Sequence, residues 1–321
     1  MKKLLIGDGG MGSELRFRGV EVPSHTESIW SALALIENTA DVKEIHLDYI
    51  NAGAQFITAN NYTVTRPILE RANMGDRLEE LTLLSLSIAK EAIEESGKDI
   101  LLAASLPPLE TSYRADLILD EIMMASQYDE LAKILEGRCD IIICETMSHS
   151  TEAKIALSSI QNSNAEKWLS WTLHGNRCNT LPSGETIAEA FKQTSDLSCD
   201  AYLVNCCGAN LVTESLKELK KLTNKPFGGY ANSELIELSV DNTKEISAEN
   251  NHWESAITID EETYTSEVSK WIDEGASIIA GCCRTRPSHI KDMVSNLSLI
   301  HISEPTSLLS IADGGWGVEK K

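Results

Sequence analysis

Positive charge is scarce in this sequence. Across 321 residues, 28 lysines and arginines face 49 aspartates and glutamates, a net charge of −21 with histidine neutral. No basic cluster stands out, which argues against nucleic acid or an anionic membrane as a partner, since both need a positive surface. Long hydrophobic runs are missing too: no stretch approaches the roughly 18 apolar residues of a membrane span. The apolar run behind the basic start, Leu4-Leu5-Ile6, is far too short for a secretion signal. Several familiar catalytic signatures are also absent. The seven histidines are scattered, none as HExxH, and there is neither a Walker loop nor a GxSxG elbow. His289, opening the last helical segment, reads as structural.

What is present is thiol and a repeating pattern. Eight cysteines without a secretion signal place the chain in a reducing cytoplasm, where thiols serve metals or catalysis more than disulfides. Short apolar runs alternate with segments of helical periodicity. The runs are Leu4–Ile6, Gln55–Ala59, Ile100–Ser105, Ile141–Cys144, Trp168–Thr172, Ala201–Asn205, Pro226–Tyr230 and Ser277–Ala280. The helical segments include Asp41–Ala52, Leu78–Ser96, Glu121–Leu135, Leu211–Leu222 and Tyr264–Glu274, with Pro287–Leu297 supplying the eighth helix. Such alternation implies parallel strands with crossover helices. Eight repeats is the count of a closed (β/α)8 TIM barrel, read here as a single domain over residues 1–298. The polar stretch Asn232–Glu262 lacks an apolar rhythm and is expected to be a long loop over the active face. Residues 299–321 fit no further unit and are expected to be a peripheral extension.

In such a barrel the chemistry sits at the C-terminal ends of the strands. Those ends read Asp8-Gly9-Gly10, Asn60-Asn61-Tyr62, Ser105, Glu145-Thr146, Thr172, Asn205-Cys206-Cys207, Tyr230 and Cys282-Cys283. A free cysteine is commonly only a small buried hydrophobe. Here, though, thiols from the sixth and eighth strands reach one rim. Adjacent cysteines such as Cys282 and Cys283 rarely reach disulfide geometry, yet both sulfurs can turn onto one metal. Three thiolates with one open position is the arrangement of a catalytic zinc site. Strand alternation makes Cys207 the weaker of its pair, because it points away when Cys206 points in. Cys139, Cys144, Cys178 and Cys199 lack partners at matching positions and read as core or loop thiols. Glu145 and Asp8 stand at strand ends on the same rim, as candidate anions for a ligand. Gly7-Asp8-Gly9-Gly10-Met11-Gly12 matches a dinucleotide fingerprint, but Asp8 would repel a pyrophosphate and eight repeats do not suit a doubly wound sheet.

With these residues in hand, the chain resembles the homocysteine S-methyltransferases. These are zinc-dependent (β/α)8 barrels that include betaine–homocysteine methyltransferase and the opening module of cobalamin-dependent methionine synthase. The matching stretches are Asp8–Leu15, Trp30-Ser31-Ala32, His46–Ala54, Ile57–Tyr62, Glu145-Thr146, Ser183-Gly184-Glu185, Val204-Asn205-Cys206 and Gly281-Cys282-Cys283 through His289-Ile290. The resemblance implies that Cys206, Cys282 and Cys283 hold Zn2+ and that a homocysteine thiol takes the fourth position. It implies that Glu145, Asp8 and the Gly9 backbone receive the ammonium end, that Tyr62 lies near the metal, and that Asn205 supports the site from behind. The family usually reads Gly-Gly-Cys-Cys-Gly where this chain has Ala280-Gly281-Cys282-Cys283-Arg284. The Arg284 guanidinium is therefore expected either to bind a carboxylate or to obstruct the pocket. Asn60-Asn61 and Ser105–Pro108 depart as well.

The expected reaction is methyl transfer from a cationic donor to a zinc-bound thiolate. No cobalamin or folate segment follows the barrel, nor the dimerisation extension of the betaine enzymes. S-methylmethionine is therefore the first expectation for the donor and S-adenosylmethionine the second, with only small-molecule partners and no oligomeric state implied. Two alternatives stand beside this. One is a metal-dependent barrel hydrolase or lyase, disfavoured because three thiolates make zinc a poor Lewis acid. The other is a non-catalytic zinc- or thiol-binding relative.

Overall fold

A computed structural model describes residues 4–23, 29–237 and 256–302. Its strands are β1 (Leu5–Ile6), β2 (Phe56–Thr58), β3 (Leu101–Leu106), β4 (Ile141–Met147), β5 (Glu166–Trp171), β6 (Ala201–Gly208), β7 (Phe227–Asn232), β8 (Glu234–Ile236), β9 (Ala256–Thr258) and β10 (Ile278–Gly281). Its helices are α1 (Met11–Phe17), α2 (Leu33–Glu37), α3 (Thr39–Ala52), α4 (Arg66–Arg71), α5 (Leu78–Ser96), α6 (Glu121–Leu135), α7 (Ser150–Ser159), α8 (Ile187–Thr194), α9 (Ala209–Leu222), α10 (Glu261–Asp273) and α11 (Pro287–Ile302).

Eight parallel strands form one sheet in the order β1-β10-β7-β6-β5-β4-β3-β2. The seam between β1 and β2 is bridged by Gln55, whose backbone N–H donates to the Ile6 carbonyl at 2.7 Å. The Gln55 side-chain oxygen accepts the Ile6 N–H at 2.9 Å. The sheet thus wraps into the expected (β/α)8 barrel with the helices outside it. Both faces of each strand are covered, which is why the strands read as continuous apolar runs rather than alternating ones.

The interior is packed rather than hollow. Phe56, Ile141, Ile143, Trp168, Leu203 and Ile278 fill it, with Phe56 and Trp168 meeting edge to face at 5.3 Å between ring centres. A larger apolar layer lies between the sheet and the helices. Truncating a residue such as Trp168, which is 1% exposed, would cost about 3–5 kcal/mol, because neighbours in a filled barrel cannot close the space.

Two expectations need correction. The stretch Asn232–Glu262 is not all loop: Asn232 ends β7, β8 pairs antiparallel with β9, and α10 opens at Glu261. Three-residue strands are too short to show a period, and Glu234 in β8 is buried by pairing rather than by apolarity. Residues 238–255 of that stretch lie outside the described residues. The last helix also runs on to Ile302, past the expected end of that helical segment at Leu297; residues 303–321 lie outside the described residues. Among the described residues, no helix is long and apolar enough to cross a membrane.

Candidate metal and substrate site

The turn after β10 is fixed by its neighbours at every polar backbone atom that matters. Cys282 N–H donates to the Ala231 carbonyl at 2.8 Å, and the Cys283 carbonyl accepts from Ser233 N–H at 3.0 Å. The Cys283 N–H donates to Asn232 Oδ1 at 3.1 Å. Thr285 Oγ1 donates to the Cys282 carbonyl at 2.6 Å. Gly10 lies so close beneath that a Cβ there would run into the Cys282 carbonyl oxygen, so the Gly-rich turn after β1 serves close packing against the thiol turn.

The third thiol arrives by a break in strand geometry. Along β6, Ala201 and Leu203 face the barrel interior, while Tyr202 and Val204 face the helices. Strict alternation would turn Asn205 inward and Cys206 outward. Instead the β6–β7 register shifts between Asn205 and Gly208, and Cys206 takes a left-handed φ of +54°. The kink swings Cys206 to the rim and leaves Cys207 packed in the outer apolar layer. β4 breaks in the same way between Cys144 and Met147, with Thr146 at φ +59°. Asn205 joins the two irregularities: its Oδ1 accepts Thr146 N–H at 3.0 Å and its Nδ2 donates to Thr146 Oγ1 at 2.8 Å. It also accepts from Ser170 Oγ at 2.7 Å.

The sulfurs of Cys206, Cys282 and Cys283 all lie within 4.8 Å of one another, with Cys206 and Cys283 at 3.8 Å. Neighbouring thiols, and burial after them, push Cys282 well above its ordinary pKa. Three sulfur anions cannot share this space unless a cation joins them. The donor set therefore fits a soft, tetrahedral metal ion with one position left for a ligand.

Beside the thiols lies a small acidic pocket of about 100 Å3, lined among others by Asp8, Gly9, Glu145, Tyr230, Cys282 and Cys283. Asp8 Oδ2 accepts the Thr58 N–H at 2.8 Å, and Glu145 Oε2 accepts from Tyr230 OH at 3.1 Å. Both carboxyls are almost fully buried. Burial pushes Asp8 up to about 8, with the Glu145 charge adding to it. Burial likewise pushes Glu145 up to about 7, with Cys283 adding a smaller upward contribution. Among the described residues neither carboxyl has a salt-bridge partner within 4.0 Å.

On the other side of the thiols is a larger cavity of about 310 Å3, reaching Tyr62, Tyr113, Glu234 and Arg284. The Arg284 guanidinium donates from Nη1 to Glu234 at 3.1 Å and to Thr258 Oγ1 at 3.3 Å. It lines this outer cavity and does not line the acidic pocket. Tyr62 stands in the wall of both, its hydroxyl paired with Ser112 at 2.7 Å. The hydroxyl that reaches a thiol belongs to Tyr113, which donates to Cys206 Sγ at 2.7 Å. Sequence reasoning passed over Tyr113, Asn232 and Glu234. Tyr113 sits in an irregular segment with no pattern to mark it, and the other two lie in the stretch expected to be loop.

Residues 5–297 match the family model described as homocysteine S-methyltransferase. A homocysteine S-methyltransferase of Bacillus subtilis, YbgG, is 27% identical over 91% of this chain and 94% of its own. A selenocysteine Se-methyltransferase of Brassica oleracea is 28% identical over 96% of both. The fold matches the metallated homocysteine methyltransferase MmuM of Escherichia coli with a TM-score of 0.76, at 24% identity, over 92% of this chain and 96% of that one. With a family model matched along nearly its whole barrel, this chain belongs to the homocysteine S-methyltransferase family of enzymes.

Proposed function

We propose that the protein moves a methyl group from a small sulfonium donor to the thiol of L-homocysteine, giving methionine, with zinc held by Cys206, Cys282 and Cys283. The observation that carries this reading is the placement of three clustered thiols beside two buried carboxyls that lack a counter-cation. An amino acid with a thiol side chain satisfies both at once. Its ammonium enters between Asp8 and Glu145, and its sulfur points at the thiol triad. Binding a cation favours the ionised form of both carboxyls, so the proton they hold near neutral pH leaves to solvent. Tyr230 OH steadies the Glu145 carboxylate, and Gly9, where a Cβ would run into Thr285 and Tyr49, lets the turn that carries Asp8 pack closely.

Zinc, when bound, supplies a thiolate at neutral pH by lowering the pKa of the substrate thiol. The chain's own residues do the rest. The outer cavity admits the donor with its methyl carbon toward the thiols. The new S–CH3 bond forms as the old one breaks, and the bonding pair stays on the donor sulfur, which leaves as a neutral thioether. No general acid is needed for such a leaving group. The walls therefore have only to align donor and acceptor and keep water out. With S-methylmethionine as donor, both products are methionine. The outer cavity, about 310 Å3, is at the small end of ligand sites, which supports that donor over S-adenosylmethionine.

The purified protein is expected to hold about one zinc per chain and Cys206→Ala to lose it, measured by elemental analysis. Homocysteine with S-methylmethionine should yield two methionines per donor consumed, followed by mass spectrometry. A native protein without metal, or one that forms no methionine from any sulfonium or betaine donor, would overturn the reading.

A further inference from the structure

Arg284 occupies a backbone conformation that resists a side chain. Its φ is +64°, a left-handed value that is natural for glycine and costly for other residues. Something must offset that cost, and the local contacts account for only part of the side chain. The guanidinium uses Nη1 on Glu234 and Thr258; among the described residues, Nε and Nη2 have no partner. A guanidinium is a planar fork of five donors, so one edge can be anchored while the other takes a second carboxylate.

The anchor is built for this. Glu234 is 1% exposed, and its other oxygen accepts from Asn232 Nδ2 at 3.0 Å. A carboxylate so enclosed has both oxygens engaged by its partners, and it holds the guanidinium in one place. Half of the Arg284 side chain remains accessible, at 51%, and it lines the outer cavity whose floor carries Cys206, Cys282 and Cys283. Arg16 lines the same cavity, its guanidinium donating to the carbonyls of Val22 and Pro23. Charge is thus unevenly divided across the thiols: Asp8 lines only the inner pocket, Glu145 stands in the wall of both, and the two guanidiniums, with the paired carboxylate of Glu234, line only the outer cavity. An ammonium suits the inner pocket and a carboxylate the outer cavity.

We propose that Arg284 binds the carboxylate of the methyl donor and so selects amino-acid sulfoniums over sulfoniums that lack a carboxylate. The inference rests on sulfonium-dependent methyl transfer and adds to it the group that recognises the donor. Arg284 follows Cys283 directly in the chain, and in S-methylmethionine only three carbons separate sulfur from carboxylate. The donor can therefore face the thiols with its methyl while its carboxylate meets the free edge of the guanidinium.

The test compares S-methylmethionine with (3-aminopropyl)dimethylsulfonium, the same sulfonium without its carboxylate, in the zinc-loaded wild type and in Arg284→Gln and Arg284→Lys. In the wild type the KM for the decarboxylated donor should exceed that for S-methylmethionine by about 10- to 100-fold, the range of a charged hydrogen bond. In Arg284→Gln that ratio should collapse toward one, with Arg284→Lys between, while zinc content and the KM for homocysteine hold. A ratio that survives in Arg284→Gln would make Arg284 merely a strut for the β8–β9 pair and would overturn the inference alone. If the wild type takes methyl from neither sulfonium, the reading of a small sulfonium donor fails and this inference falls with it, whereas methionine formed from another donor leaves methyl transfer standing.

Discussion

On the proposed function, Asp8 and Glu145 are the groups expected to set how the site responds to pH. Each carboxyl is raised from its ordinary range by burial, Asp8 to about 8 and Glu145 to about 7. Without substrate, both are therefore substantially protonated at pH 6 and largely ionised only above 8. An ammonium ligand needs them ionised, so kcat/KM for homocysteine is expected to fall as pH drops from 8 to 6. The same shifts set the sign of a stability effect. The folded protein binds more protons than the unfolded chain between about pH 4 and 8, so stability declines as pH rises through that window. Asp8→Asn removes the buried charge. Its melting temperature should exceed that of the wild type at pH 8 by a few °C, on the order expected for 1–2 kcal/mol, and the gap should close near pH 4. A gap that does not change with pH would mean that Asp8 is not held out of its ordinary range. Glu145→Gln should raise the homocysteine KM about 10- to 100-fold, because a charged hydrogen bond becomes a neutral one.

Cys206 reaches the rim through elements rather than through its own preference. Two neighbouring irregularities, in β4 at Thr146 and in β6 at Cys206, are tied together by one side chain, Asn205. Removing it in Asn205→Ala leaves the Thr146 N–H and Oγ1 and the Ser170 hydroxyl without their buried partner. The expected loss is about 1–3 kcal/mol of stability together with about 10- to 100-fold in zinc affinity, read by chemical denaturation and by competition with a chelator. Zinc affinity equal to that of the wild type would show that β6 keeps its kink unaided. This arrangement also marks how far the chain could be read in advance. The eight strands were legible because a parallel barrel strand is buried on both faces, and its apolar run survives in the sequence. The thiols were legible because they stand at the ends of those runs. The left-handed turn at Cys206 was not, since it depends on an amide that crosses to another strand. The Tyr113 hydroxyl was equally hidden, as it meets a thiol 93 residues away. Glu234 and Arg284 are paired across 50 residues, and neither local composition nor period announces such a pair.

At the scale of the whole molecule, a metal held by the three thiols would be a staple laid across a barrel that is packed without it. Cys206 and Cys283 are 77 residues apart in the chain, one on β6 and the other just beyond β10, and β7 separates those two strands in the sheet order. A metal joining them ties β6 to the turn beyond β10. Below that rim, Phe56, Ile143, Trp168 and Ile278 pack the interior without any metal, and the seam beside β1 is bridged by Gln55. A small zinc module folds only around its ion, because it has no other core. This chain has a full one. Stripping the metal with a chelator under reducing conditions should therefore leave the far-ultraviolet circular dichroism unchanged. The melting temperature should fall by about 5–10 °C, the size expected when a ligand present at a hundred times its Kd is withdrawn. Homocysteine should raise the melting temperature of the loaded protein and have little effect on the stripped one, since its sulfur then has nothing to bind. Two results would contradict this division of labour. Unfolding on chelation would mean that the staple holds the barrel together. Equal stabilisation by homocysteine in both forms would mean that the acidic pocket binds the amino acid without help from the thiols.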